Sequence, residues 1–234
     1  MLPSEFPEVR AHAALKRLLL EHVDMQFDDI RTMLRLPMEG LTGGCNFATA
    51  AVLFNIISGC SVCFYNASEK ALTMAGQAGC RFKGLLGEFY PWVGEPLSKA
   101  DGVTLLYKAT RNPLTHRLGL DEPPSSASKG NEIVLKKWSL RPAEVAELED
   151  STNRPAWALA TITETTVPSC ASQFTISVPA LYWGVHRMLH ALFADPIHAV
   201  EADALAKKFG PLWDKYRMPE PGSLGLTGYA PTVR

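Results

Sequence analysis

Arg111, Asn112 and His116 are the residues whose types and spacing point to chemistry in this chain. Cutting a phosphodiester without a metal needs an imidazole-like group that takes a proton from an attacking 2′-hydroxyl or gives one to the leaving oxygen. It needs a fixed cation to neutralise charge on the phosphoryl oxygens, and a guanidinium fits that geometry better than an ammonium. A polar side chain must hold one of the two in place. Arg111-Asn112-Pro113-Leu114-Thr115-His116 supplies all three. The same residues have a purely structural reading: Arg111 paired with a carboxylate, Asn112 as a helix cap, His116 hydrogen-bonded and buried.

Position decides whether the set can converge. On one continuous helix, residues five apart are rotated by about 140° and do not share a face. Pro113 breaks or kinks a helix, and Asn-Pro suits a helix start with Asn112 as N-cap and Pro113 in the first turn. Arg111 then ends one element and His116 lies in the first turn of the next, so both can face one cleft beside a helix N-terminus that favours anions. The preceding element is predicted as a helix over 98–111. Ser98 is its N-cap with Asp101 three residues on, and Val103, Leu106 and Tyr107 lie on one stripe that ends at polar Thr110.

An Arg-Asn-x-x-x-His segment after an apolar helix resembles the signature of HEPN domains, helical bundles of prokaryotic toxin and defence systems. The run Leu105-Leu106-Tyr107-Lys108-Ala109-Thr110 leading into the segment is similar to that family's last motif helix. Arg81-Phe82-Lys83-Gly84-Leu85-Leu86-Gly87-Glu88-Phe89-Tyr90-Pro91 resembles the segment before it in some uncharacterised bacterial members. The likeness covers about residues 40–120. It implies a homodimeric, metal-independent endoribonuclease, with His116 as acid or base, Arg111 as phosphate clamp and Asn112 as polar helper. It also implies an RNA substrate and an antitoxin or inhibitor protein as partner. The alternative within the resemblance is a non-catalytic dimerisation or interaction module.

Composition sets the frame. The 234 residues are 47% hydrophobic and 20% charged, enough to build a core. The net charge of −1 gives no global field for nucleic acid, so any such binding must be local. Five cysteines at irregular spacing make no disulfide framework, and no basic segment followed by an apolar run opens the chain. A reduced, cytoplasmic setting is expected.

The elements read as mainly α: a HEPN-like helical bundle with a small antiparallel β insertion at about 131–178 and additional C-terminal helices. A single domain is expected over 1–218, with a flexible tail over 219–234. An amphipathic helix is predicted over 7–23 and a second over 25–36. A long uncharged helix runs from about Cys45 to Glu69, suited to a bundle centre or a dimer interface. Its length could also span a membrane, but Asn46, Asn55 and Asn66 and the absence of a basic anchor pair argue against that. Residues 81–92 form a further helix. Strands are expected at 133–138, 157–163 and 174–178, with one or two helical turns over 141–150. Helices follow at 179–194 and from Pro196 to about Phe209, where Gly210-Pro211 ends the last one.

Other chemistry-bearing residues have plainer readings. Cys60-x-x-Cys63 lies in the uncharged helix and reads as two buried thiols. Cys45, at a helix start after Gly43-Gly44, would need a distant base to act as a nucleophile. His186 and His190 are spaced i, i+4 as zinc ligands can be, but Arg187 stands where a metalloprotease helix carries Glu, so packing is the expectation. Lys136-Lys137 and Lys207-Lys208 read as solvated faces. Neither glycine-rich phosphate-loop pattern occurs, and no cofactor or metal is expected.

Overall fold

The computed structural model describes residues 2–36, 45–65, 78–107, 137–149, 160–167 and 170–216. The described helices are α1 (Pro7–Arg10), α2 (Ala13–Leu18), α3 (Met25–Arg35), α4 (Asn46–Cys63), α5 (Ala78–Phe89), α6 (Lys99–Leu105), α7 (Val145–Glu149), α8 (Val178–Ala194) and α9 (Pro196–Tyr216). Three strands, β1 (Lys137–Arg141), β2 (Ile162–Val167) and β3 (Cys170–Ser177), complete a mainly α architecture.

The N-terminal helix expected over 7–23 is broken. His12 stands between α1 and α2 in a non-helical conformation, and after Leu18 the backbone widens into a π-helical segment, Leu19–Asp24, before α3. Leu15, Leu18 and Leu19 are buried as the stripe predicts, whereas Ala11 falls in the break and is exposed.

Helix α8 lies at the centre of the fold. Twelve of its seventeen residues are buried, against nine of eighteen in α4. Pro179 lies in its first turn and the Ser177 hydroxyl accepts from the Ala180 amide at 3.4 Å. Helix α4, without a charged residue, packs on α3, α5 and α8 but leaves Phe47 46% and Val62 50% exposed. Among the described residues it is a helix long and apolar enough to cross a membrane, and half of it is buried within the fold.

The sheet has the order β1-β3-β2 and is mixed. β2 and β3 pair antiparallel with a bulge between Thr165 and Val167, but β1 runs parallel to β3, with Leu140 opposite Ile176. The expected wholly antiparallel insertion is therefore corrected. Alternation identifies a strand but not its direction, and parallel neighbours need a crossover connection. That crossover holds the predicted turns as α7, placed by three hydrogen-bonded neighbours. Arg35 pairs with Glu149, Trp183 Nε1 donates to the Glu147 carbonyl at 2.8 Å, and the Ala143 amide donates to Asn46 Oδ1 at 2.9 Å. Strand β2 starts at Ile162, later than the predicted 157–163, and β3 spans the predicted 174–178 up to Ser177, where α8 takes over.

Gly210-Pro211 does not end the last helix, since α9 runs on to Tyr216. Proline removes one i→i−4 hydrogen bond, and a helix otherwise held by packing can carry that loss. The predicted loop over 121–130 and tail over 219–234 lie outside the described residues.

Candidate functional site

The helix that leads to the Arg-Asn-x-x-x-His segment is well anchored. Ser98 caps α6 as expected: its hydroxyl accepts from the Asp101 amide at 3.2 Å and donates to Asp101 Oδ2 at 2.6 Å. Val103 and Leu106 are buried in the core. Gly102 lies under the Trp92 ring, where a Cβ would collide, and the Trp92 indole nitrogen donates to the Leu86 carbonyl at 2.7 Å.

Tyr107 extends this contact toward the segment. Its ring lies 5.5 Å from that of Phe82 on α5, and Lys83 Nζ sits 5.5 Å from the centre of the Tyr107 ring. Gly79, one turn before Lys83, leaves room for the Tyr107 hydroxyl. A cation and an aromatic ring thus meet four residues before Arg111. Arg111, Asn112 and His116 themselves lie outside the described residues.

The remaining candidates settle into structural roles. The His186 and His190 rings pack nearly perpendicular to Phe6, with centroids at 5.3 and 5.0 Å, against a side chain only 1% exposed. No group of three metal-capable side chains occurs among the described residues. Cys45, Cys60, Cys63 and Cys80 are free thiols, and burial pushes Cys60 and Cys63 up, away from the nucleophilic thiolate. Lys207 and Lys208 are exposed, as a solvated face would be, and Lys207 pairs with Asp203 at 2.8 Å.

Several polar arrangements have no local sequence signature. Asp203, on α9, accepts from the Ala14 and Leu15 amides at 3.1 and 3.0 Å and so caps α2, whose own N-cap residue His12 makes no side-chain cap. Burial works against its charge, but Lys207 and the Leu15 amide outweigh it, and Asp203 lies below the usual carboxylate range. Asp24, at the end of the π-helical segment, is 2% exposed. Its Oδ1 accepts from the Ser4 amide at 3.3 Å while Oδ2 has no hydrogen-bond partner among the described residues, and burial raises its pKa. Tyr90 shares a 2.7 Å hydrogen bond with the Thr161 hydroxyl, and the Thr161 amide donates to Glu95 at 2.8 and 2.9 Å. A groove also opens between the π-helical segment and α4. The sequence offered only an uncharged helix and an amphipathic one for these two walls.

No protein-family model, curated protein or solved structure matches this chain.

Proposed function

We propose that the chain is a HEPN-like endoribonuclease that cleaves RNA without a metal, through Arg111, Asn112 and His116. The observation that carries this reading is the setting of Tyr107. Helix α6 is capped at Ser98, packed on α5, and brings Lys83 over Tyr107 four residues before Arg111. A cation at the residue four positions ahead of Arg111 in sequence supports a reading in which the site takes an anion.

In the proposed reaction, His116 removes the proton of a 2′-hydroxyl, whose oxygen attacks the adjacent phosphorus. The P–O5′ bond breaks, the 5′-oxygen takes up a proton, and a 2′,3′-cyclic phosphate remains. Arg111 holds the non-bridging oxygens as negative charge grows, and Asn112 orients one of the two groups. A two-fold copy of the chain would double the segment in one cleft, and an inhibitor protein bound there would silence it.

The test is RNA cleavage in excess chelator by the parent and by His116→Ala and Arg111→Ala. The parent cuts; His116→Ala is slower by about 10²–10⁴-fold, the usual worth of a general acid or base, and Arg111→Ala by about 10²–10³-fold for loss of charge stabilisation. Equal cutting by all three, or none by the parent purified away from partners, contradicts the reading. The second reading, a non-catalytic interaction module, is favoured by the uncharged outer face of α4, where Phe47 and Val62 stay half exposed.

A further inference from the structure

The groove beside α4 carries an inference independent of RNA cleavage. It has a volume of about 300 Å³ and is formed by the π-helical segment with its flanking turns on one side and α4 on the other. Leu18, Val23, Ile56 and Phe64 make apolar walls, and the Cys60 and Cys63 thiols add to them. Polar groups come from His22, Gln26 and Asn55. Among the described residues, no Lys, Arg, Asp or Glu lines the space.

Gly59 is what leaves α4 open toward the groove. Some helical glycines make room for neighbours: Gly102 accommodates Trp92 and Gly184 accommodates Tyr90. At Gly59 an added Cβ would meet nothing within 4 Å. A glycine inside a helix costs about 1 kcal/mol relative to alanine. Among the described residues no packing contact accounts for it, and the exposed position faces open space at the groove. The opposite wall is π-helical, a rare geometry that occurs frequently at functional sites.

We propose that this groove binds a neutral, elongated amphiphile, with an alkyl or aryl body and one hydrogen-bonding end held by Asn55, Gln26 or His22. Charge selects the class: an ionic ligand would lose its hydration against described walls that offer no Lys, Arg, Asp or Glu. Size limits it to a small molecule, since the groove offers about 300 Å³. The protonated thiols serve as apolar surface and form no bond to the ligand.

The test uses the full chain with Nile red as a neutral probe and 1-decanol, decanoate and decyltrimethylammonium as competitors. Saturable one-to-one probe binding is expected. Decanol should displace it at least ten-fold more effectively than either ion. Gly59→Leu should weaken the probe at least ten-fold with helix content and thermal midpoint retained, because the added side chain enters open space. If Gly59→Leu does not fold, Asn55→Trp, at an exposed mouth position, gives the same block. Decanol should also slow alkylation of Cys63 by N-ethylmaleimide in the parent, read by mass spectrometry, but not in the blocked variant. Unsaturable partitioning of the probe, equal competition by the ions, or unchanged binding in a folded blocked variant overturns the proposal.

Discussion

At the scale of single residues, two buried carboxyls do opposite things. Asp203 is 6% exposed, yet its charge is satisfied by two amides of α2 and by Lys207. Asp203→Ala removes a helix cap and leaves those amides without it, so a loss of about 2 kcal/mol is expected in denaturant unfolding. Because its folded pKa is lowered, this contribution is present above the ordinary aspartate range and fades as pH falls through the folded value. Asp24 has the other sign. Its folded pKa is raised, so the folded state holds the proton more tightly, and stability is lost as pH rises through the folded value. Asp24→Asn keeps an acceptor for the Ser4 amide and removes that loss. The variant should be more stable than the parent at pH 7, with the gap closing toward pH 3 in thermal melts at both values. Neither role could be read locally. The Asp203 cap spans 189 positions of sequence, and Asp24 looks like one of several acids on an amphipathic stretch.

At the scale of elements, contact between aromatic rings and glycine-bearing helix faces fixes how helices meet. Tyr90 is buried against Gly184 in the central helix and bonded to Thr161 ahead of β2. A methyl at 184 would strike the phenol ring and its hydroxyl, so Gly184→Ala should cost about 1–3 kcal/mol by overpacking, measured as a shift in denaturant midpoint. Gly87→Ala, where a Cβ finds only an ordinary contact at 3.7 Å, is the control and should stabilise or be neutral. Elements that rest on local chemistry were legible: the Ser98 cap, a helix starting about Pro179, and the turns of α7, whereas Ser177, read as strand, is the cap of α8. Elements that depend on distant packing were not. The π-helical segment has the same apolar stripe as a regular helix, and Gly210-Pro211 carries a stop signal that α9 overrides. Arg111, Asn112 and His116 stood out by residue type and spacing alone, while the groove emerged only when two separate helices were placed side by side.

At the scale of the whole molecule, the most buried helix is not the most apolar-looking one. Helix α8 carries His186, Arg187 and His190 and still fills the centre, because its remaining faces are covered by α4, α5, α7 and α9. Helix α4 has no charge at all and yet keeps one side outward. Charge pattern alone therefore ranks burial poorly when a helix also offers a surface for something else. A net charge of −1 fits the same picture, since RNA would have to be held by a local set of groups rather than by the overall field. The claim on which the functional account turns is that a 2′-hydroxyl is the nucleophile. Its most direct test is a defined RNA incubated with the parent in chelator, beside the same RNA carrying a single 2′-deoxy nucleotide at the mapped cut. The account predicts a 2′,3′-cyclic phosphate end on the first and no cut at that position on the second. Cleavage at the deoxy position contradicts it.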